Sequence, residues 1–512
     1  MAVYLKRLVS SLGAYQVADA VSKVLAVLLL PVYTSRIAPA GYGIVETLTT
    51  FIVFVSIVVR FGIIESFLRF YFVDQDPERR DALARRAVLF LLCTTTVICA
   101  ILVVPAAPLA RLVTSRNVPG AFRVAVLGVW AFTNLELAQA LLRVDERLRA
   151  YATVTLSNVC LTIIASVVLV VGFDMNYTGL LVGNYVSSTV VLLGLWWTMR
   201  RRLLPRPRPG VAEPLRVLFH FGLPTLPAEA SVYALSVLDR QYIVHQQGAG
   251  SAGRYAIAIK IAGAIVFIVR AFMYAWPPLA YSVSDDAEAA RLYGLVTTYY
   301  ALVAGWAVAA ISLQARYIIR FLAPHHDYFL AYRAVPWVCL GWALYGLWVV
   351  LLVVAGRANV TRRNFPAALA GVVVNVALLI VLVPRYGIAG GGLALCGAYV
   401  AMLAVMHLLV RSAFRVTFEW RRLAHLTLVF GGLTVAGELL LPTSGLIGFV
   451  TRAAVIAAMP VALLLTGFAG SAELAATRRL LARTMTTTRR AGGPPGAQPT
   501  SPADPGRAPE RP

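Results

Sequence analysis

The segment NVALLIVLVPRYGIAGGGLALCGAYVA (residues 375–401) contains two apolar runs joined by the short turn RYGIAG (385–390). The two runs extend beyond this segment, over about residues 364–384 and 388–410. About 20 apolar residues in a helix are enough to cross a hydrocarbon core of ~30 Å. Because lipid offers the backbone no hydrogen-bond partner, such runs cross a membrane as helices. The segment therefore predicts a helical hairpin inside a membrane.

The same pattern recurs along the whole chain of 512 residues, of which 59% are hydrophobic and only 13% charged. Soluble domains carry roughly 25% charged residues. About fourteen runs are long enough to span a bilayer. They lie at about 9–33, 42–63, 87–109, 121–142, 151–173, 177–198, 217–245, 254–280, 292–314, 331–355, 364–384, 388–410, 423–441 and 445–468. Long continuous runs exclude the alternating ten-residue pattern of a membrane β-barrel. The sequence predicts an all-α polytopic membrane protein with about 14 transmembrane helices.

The positive charge is distributed asymmetrically between alternate loops. The net charge is +23, and arginines concentrate in loops such as ERRDALARR (78–86), RVDERLR (143–149) and MRRRLLPRPRP (199–209). Positively charged loops stay in the cytoplasm, so both termini are predicted to be cytoplasmic. We attribute the basic charge to membrane topology and expect no nucleic-acid partner. The first run is expected to remain as a helix, since it carries Asp19 and Lys23 and has no clear cleavage site.

Two pairs of similar segments indicate an internal repeat. IAPAGYGIVETL (37–48) follows the first run and GAGSAGRYAIAIKI (248–261) follows the seventh, at an offset of about 211 residues. Gly179 maps to Gly390 at the same offset. We therefore expect two six-helix lobes related by an axis along the membrane normal. The expected domains are 1–205, 206–415, two additional transmembrane helices in 416–484, and a disordered cytoplasmic tail in 485–512 that is rich in Pro, Gly and Arg.

Ionisable residues collect in the first two runs of each predicted lobe. A charge at mid-bilayer is costly, so such residues usually face a protein interior or a water-filled cavity. We expect them to line one central cavity. The candidate substrate-binding residues are Lys23, Arg60, Arg69, Arg240, Lys260 and Arg270. The candidate coupling or ion-pair residues are Asp19, Glu229 and Asp239.

Two interpretations remain open for Asp19 and Lys23, which lie four residues apart on one helix face. Either they form an ion pair that holds helices together, or Lys23 is kept as a cation for an anionic substrate. Pro224 and Pro227 likewise mark either a moving, broken helix or a packing kink. The five cysteines all lie in apolar runs without metal-ligand spacing, so we expect core residues, no metal and no cofactor.

The chain resembles the polysaccharide-synthesis flippases (O-antigen and lipid-linked oligosaccharide flippases) of the multidrug/oligosaccharidyl-lipid/polysaccharide (MOP) superfamily. The resemblance rests on the order and spacing of segments 22–48, 61–72, 236–261, 271–282 and 375–395. It implies two lobes in a V-shaped bundle around a cationic cavity, in the bacterial inner membrane. It implies export of undecaprenyl-pyrophosphate-linked oligosaccharides for lipopolysaccharide or exopolysaccharide, and no enzymatic activity. The matching positions are Lys23, Arg69, Asp239, Arg240, Tyr255 and Lys260.

Among the other candidates, Arg60, Glu229 and Arg270 follow from the inventory of charges alone. The resemblance also implies that the last two helices form a groove for the lipid tail. Energy would come from a proton or sodium gradient acting through Asp19, Glu229 or Asp239, since no nucleotide-binding P-loop is present. Expected partners are the lipid-linked oligosaccharide, membrane lipids, and a polysaccharide polymerase or glycosyltransferases.

Three alternatives remain open. A drug/cation antiporter of the same superfamily predicts a net acidic cavity, which the mixed inventory of charges disfavours. A peptidoglycan-precursor flippase is compatible with the sequence. A membrane polysaccharide polymerase or ligase would need a catalytic external loop, for which PHHDY (324–328) is the one suggestive cluster; an interfacial turn explains that cluster better.

Overall fold

The computed structural model describes residues 25, 27–73, 76–145, 147–203, 215–223, 225–358 and 360–468. Within these ranges the protein is all α-helical and contains no β-strand. The helices are α1 (Leu30–Arg36), α2 (Pro39–Val59), α3 (Ile63–Val73), α4 (Pro77–Val103), α5 (Ala106–Thr114), α6 (Pro119–Val144), α7 (Leu148–Val167), α8 (Asn176–Leu203), α9 (Leu215–Gly222), α10 (Thr225–Ser282), α11 (Asp286–Leu322), α12 (Val335–Arg357), α13 (Asn364–Tyr386), α14 (Ile388–Val410), α15 (Trp420–Leu440) and α16 (Gly445–Leu465).

Twelve of the described helices are long and apolar enough to cross a membrane. The predicted all-α polytopic fold is therefore confirmed. Helix α10 covers the run 254–280 and most of the run 217–245, whose start lies in α9, because only a local break at Gly248 (φ 80°, ψ 172°) separates the two runs. The first predicted run, 9–33, lies largely outside the described residues. These two differences account for the predicted count of about fourteen.

The hairpin predicted from residues 375–401 is present as α13 and α14. The turn consists of Gly387 alone, with φ 62° and ψ −138°. Glycine adopts this backbone conformation without a steric penalty because it has no Cβ. The N–H of Gly387 donates to the carbonyl of Val383 at 2.9 Å, which closes the end of α13. The chain thus reverses direction within one residue, and two apolar helices pack side by side.

Helices α2 and α10 approach each other closely at two glycines. A Cβ added to Gly43 would lie 1.9 Å from the carbonyl oxygen of Ala249. A Cβ added to Gly253 would lie 2.0 Å from the carbonyl oxygen of Pro39. Both contacts leave no room for a side chain, so backbone packs directly on backbone. The separation in sequence between Pro39 and Ala249 equals that between Gly43 and Gly253. It is close to the offset of about 211 residues between the repeated segments.

The chain divides into a compact unit that ends at Ile456 and a second unit that begins at Ala457. Of the second unit, residues 457–468 are described, and they complete α16. Within the first unit, α15 and the first half of α16 are tied to α11 by Arg452, whose side chain is fully buried. Its guanidinium donates to Glu438 at 2.6 Å and to the carbonyl of Leu313 at 2.8 Å. A buried cation with these partners stabilises the attachment of both helices.

Candidate cationic site between α2 and α10

Two cations converge on one carboxylate at the place where α2 and α10 cross. The Nζ of Lys260 lies 2.8 Å from one carboxylate oxygen of Glu46. The Nη1 of Arg240 lies 3.3 Å from the other oxygen. Glu46 follows Gly43 by three residues, so both face α10 from the same side of α2. The close approach at Gly43 therefore brings the carboxylate within reach of both cations.

The break at Gly248 allows Arg240 and Lys260 to reach the same carboxylate. In a continuous helix, 20 residues extend over about 30 Å. The non-helical backbone of Gly248 separates α10 into two helical segments, each of which contributes one cation. This arrangement depends on a residue that adopts positive φ without strain.

Polar and aromatic groups of both helices surround the pair. The Nη1 of Arg240 donates to the hydroxyl of Thr50 at 3.0 Å, and the hydroxyl of Tyr233 donates to the Thr50 carbonyl at 3.1 Å. The Nζ of Lys260 lies 5.0 Å from the ring centroid of Tyr42, a cation–π distance. The side chains of Arg240 and Glu46 are 13% and 14% exposed, whereas Lys260 is 34% exposed. Lys260 is thus the member of the trio most accessible to a ligand.

Asp239 is buried beside this trio and faces a different partner. The hydroxyl of Tyr255 donates to its carboxylate, and the backbone N–H of Arg240 donates to the other oxygen at 2.7 Å. Only 2% of Asp239 is exposed. Because Tyr255 lies beyond the break at Gly248, this hydrogen bond joins the two segments of α10. Asp239 stabilises the bend that aligns Arg240 and Lys260.

The structure places Arg60 in another ion-pair group. Its Nη1 lies 3.0 Å from Glu136 on α6, and its Nη2 lies 3.6 Å from Glu65 on α3. Arg60 is 4% exposed. Its described ion-pair partners are these two carboxylates, so it joins α2, α3 and α6. Within the described residues, Arg60 therefore pairs with other carboxylates than Arg240 and Lys260 do, and the predicted grouping of these three cations is not observed there.

The remaining predicted residues do not join the trio in the described part of the chain. Arg69 on α3 and Arg270 on α10 have exposed side chains. Asp19 and Lys23 lie outside the described residues, as does the side chain of Glu229. Of the predicted site, the structure brings together Arg240, Lys260 and, behind them, Asp239.

Sequence reasoning missed the carboxylate at the centre of the site. Glu46 lies in the apolar run 42–63 but is not among the residues predicted for the site, and neither are Thr50 and Tyr42. A signal was present, since Glu46 is the only acidic residue in the apolar run 42–63. A lone carboxylate in a transmembrane helix needs a cationic partner. Thr50, one helical turn after Glu46, extends the same polar face.

The fold is that of the transporters of the MOP superfamily. The lipid II flippase MurJ, in an inward closed conformation, superimposes with a TM-score of 0.69 at 13% sequence identity, covering 87% of this chain and 96% of that chain. An inward-facing multidrug resistance MATE family transporter of the MOP superfamily gives a TM-score of 0.61 at 15% identity, covering 79% of this chain and 95% of that chain.

A third structure with this fold is a MOP superfamily transporter from Pyrococcus furiosus Vc1 (DSM3638), for which a binding pocket of reverse polarity suggests a different function. Its TM-score is 0.51 at 13% identity, covering 81% of this chain and 94% of that chain. No curated protein has a significantly matching sequence.

The family follows from the sequence. A family model described as "Polysaccharide biosynthesis protein" matches residues 35–325, more than half of the chain, and the protein belongs to this family. The match includes Glu46, Arg240 and Lys260. The protein is accordingly a multi-pass membrane protein with a transporter fold, and the membership of the family predicted from the sequence is confirmed.

Proposed function

We propose that the protein is a flippase that moves an undecaprenyl-pyrophosphate-linked oligosaccharide from the inner to the outer leaflet of the bacterial cytoplasmic membrane. The product would feed the synthesis of a cell-surface polysaccharide. The observation that carries the proposal is the convergence of Arg240 and Lys260 on Glu46 within a chain of the polysaccharide biosynthesis family. The trio exposes the cation of Lys260 to a ligand, which suits an anion better than a cationic drug, while the neighbouring carboxylate of Asp239 is buried and takes hydrogen bonds from Tyr255 and the backbone N–H of Arg240.

A pyrophosphate would compete with Glu46 for the two cations. Arginine and lysine form charge-assisted hydrogen bonds with phosphate oxygens, and arginine can bind two of them at once. Glu46 balances part of the positive charge while no substrate is bound, which lowers the cost of holding two cations within the membrane. Substrate binding would free Glu46, and that displacement would loosen the contact between α2 and α10. The polyprenyl tail would remain in lipid throughout.

The transport cycle is proposed to be alternating access between two lobes, 1–205 and 206–415, around this site. Helices in 416–484 would support the second lobe. Both termini are placed in the cytoplasm because the arginine-rich loops lie on their side of the membrane. A proton or sodium gradient would supply the energy, with Asp19, Glu229 and Asp239 as the proposed coupling carboxylates. Lys23, Arg69 and Arg270 are proposed to contact the substrate at other stages of the cycle.

The test measures lipid-linked oligosaccharides in a strain that lacks the protein, separately for each leaflet of the inner membrane. We expect accumulation on the cytoplasmic side, relieved by the wild type and by Arg411→Gln, which removes an exposed arginine outside the site. Arg240→Gln and Lys260→Met should each lower transport by ~10-fold or more, since hydrogen bonds to charged groups contribute roughly 1.5–3 kcal/mol each. The amount of each variant in the membrane controls for folding.

Three results would count against parts of the proposal. No accumulation in the deletion strain would refute the flippase function itself. Accumulation of the peptidoglycan precursor alone would reassign the substrate to that lipid. Full relief by both Arg240→Gln and Lys260→Met would leave the flippase function intact and remove the trio from the substrate path.

A further inference from the structure

A second cationic pocket, which contains none of the residues of the Glu46 trio, lies where α11 and α13 end, toward the same membrane face as Gly43 and Gly253. It is a cavity of about 550 Å³ among α11, α12, α13, α14, α15 and the 3₁₀ segment His326–Arg333. Arg333 and Arg385 lie on its wall together with Tyr332, Tyr386 and Glu438. We call this cavity the Arg333–Arg385 pocket.

The two arginines of the Arg333–Arg385 pocket are available to a ligand. Both side chains are exposed. Within the described residues, neither guanidinium makes a hydrogen bond or an ion pair. An exposed arginine without a partner is common on a surface. Two that face one cavity between membrane helices concentrate positive charge where an anion would be partly shielded from water.

The acidic residue on the wall of the pocket is already neutralised. The carboxylate of Glu438 lies 3.1 Å from the Nη2 of Arg316 and 2.6 Å from the Nη1 of Arg452. Both of these arginines are largely buried, with 16% and 0% of the side chain exposed. Glu438 therefore does not cancel the charge of Arg333 and Arg385, and the pocket as a whole is cationic.

Membrane topology does not account for these arginines. The pocket lies where α11, α13 and α15 end and where α12, α14 and α16 begin. By the alternation of helices, this is the membrane face opposite the arginine-rich loops. Loops on that face are normally poor in arginine. The presence of two arginines on that face therefore needs a local explanation, and the simplest is that they bind an anion.

The aromatic residues place the pocket at the level of lipid headgroups. Tyr386 is 58% exposed beside Arg385, and the guanidinium of Arg316 lies 4.6 Å from the ring centroid of Tyr332, which holds that ring in place. Tyrosine is enriched at membrane–water interfaces because one end of its ring is apolar and the other polar. A ligand that enters here would have an apolar part in lipid and a charged part between the arginines.

We propose that the Arg333–Arg385 pocket binds the phosphate of a lipid headgroup at the membrane face opposite the arginine-rich loops. Arginine is suited to this chemistry because its planar guanidinium matches the spacing of phosphate oxygens. The lipid is either a resident anionic phospholipid or a polyprenyl phosphate carrier that has reached this leaflet. The proposal does not depend on the flippase function, because binding is measured without transport.

The experiment uses the full-length protein in nanodiscs of phosphatidylcholine. Binding of phosphatidylglycerol, undecaprenyl phosphate and inorganic pyrophosphate is measured by native mass spectrometry or by calorimetry. Arg333→Gln/Arg385→Gln should weaken binding of at least one of the two lipids by ~10-fold or more, through the loss of charge-assisted hydrogen bonds. The matched control is Arg111→Gln/Arg116→Gln, which removes two exposed arginines from the end of α5 and the loop after it, on the same membrane face.

The three ligands identify the source of the phosphate. Loss of phosphatidylglycerol binding assigns the pocket to a resident phospholipid, and selective loss of undecaprenyl phosphate binding assigns it to the carrier. Arg333→Lys/Arg385→Lys keeps the charge and should retain part of the affinity, which ties the loss to the positive charge, and the thermal stability of the Gln variant shows whether it is folded. Equal binding by the wild type and the Gln variant would overturn the proposal, as would an equal loss in the control or a loss confined to inorganic pyrophosphate.

Discussion

Replacing Gly43 with alanine should force α2 and α10 apart and break the ion pairs of Glu46. The new Cβ would lie 1.9 Å from the carbonyl oxygen of Ala249 and 2.8 Å from the backbone nitrogen of Gly253. Both atoms belong to the backbone, so no flexible side chain can move to make room. Since carbon and oxygen rarely approach closer than about 3.3 Å, the helices must separate by ~1.4 Å or more.

The separation is enough to disrupt the candidate site. Glu46 lies less than one turn from Gly43, about 4.5 Å along the helix axis. A movement of that size would lengthen the Glu46–Lys260 contact from 2.8 Å to beyond the range of a direct ion pair. Overpacking of this kind typically costs about 1–3 kcal/mol. We therefore expect Gly43→Ala to lower both the thermal stability of the purified protein and its transport activity.

The matched control is Gly250→Ala, in the same helix pair but facing open space. A Cβ added at Gly250 meets no atom within 4 Å. Alanine is favoured over glycine in a helix by about 1 kcal/mol, so this variant should be as stable as the wild type or more so. The assays are thermal denaturation in detergent and complementation of the deletion strain. If Gly43→Ala matched Gly250→Ala in both, direct backbone packing would not be what positions Glu46.

Three further substitutions test other contacts of the structure. Arg452→Met leaves Glu438 without its closest cation and should destabilise the protein by about 3–5 kcal/mol, while the double variant with Glu438→Gln should recover part of that loss in the same denaturation assay. Gly387→Ala places a Cβ on backbone at φ 62° and ψ −138°, which should cost about 1–3 kcal/mol; wild-type stability would show that the turn relaxes. Tyr255→Phe removes the hydroxyl that donates to the buried carboxylate of Asp239 and should lower the free energy of unfolding by about 1–3 kcal/mol. The double variant Tyr255→Phe with Asp239→Asn should lose less stability, and equal losses would contradict the hydrogen bond.

The transmembrane helices could be predicted because their causes are local. An apolar run of sufficient length must be helical in lipid, whatever packs against it. The hairpin of α13 and α14 followed from residues that are neighbours in sequence, and Gly387 makes the turn that the short spacing requires. The boundary within α10 also followed from the sequence, since the predicted runs 217–245 and 254–280 leave Gly248 between them, and Gly248 is the residue with non-helical backbone.

The inventory of charges identified Arg240 and Lys260 but could not pair them. Twenty residues separate them along the chain, and only the bend at Gly248 brings both to one carboxylate. Arg60 shows the opposite case, since a charge in the same apolar run as Glu46 pairs instead with Glu136 on α6. A list of buried charges states which residues need partners, whereas the crossing of the helices decides which partners they find.

The sequence by itself determined that this protein is a bundle of membrane-spanning helices with a family resemblance to polysaccharide flippases, because hydrophobic length and segment order are properties of the chain alone. Only the tertiary structure decided that Glu46 is the centre of the candidate site and that Arg333 and Arg385 face a common pocket. A direct ion pair needs its nitrogen and oxygen within about 4 Å of each other, and distances of that size between remote residues are set by how helices pack.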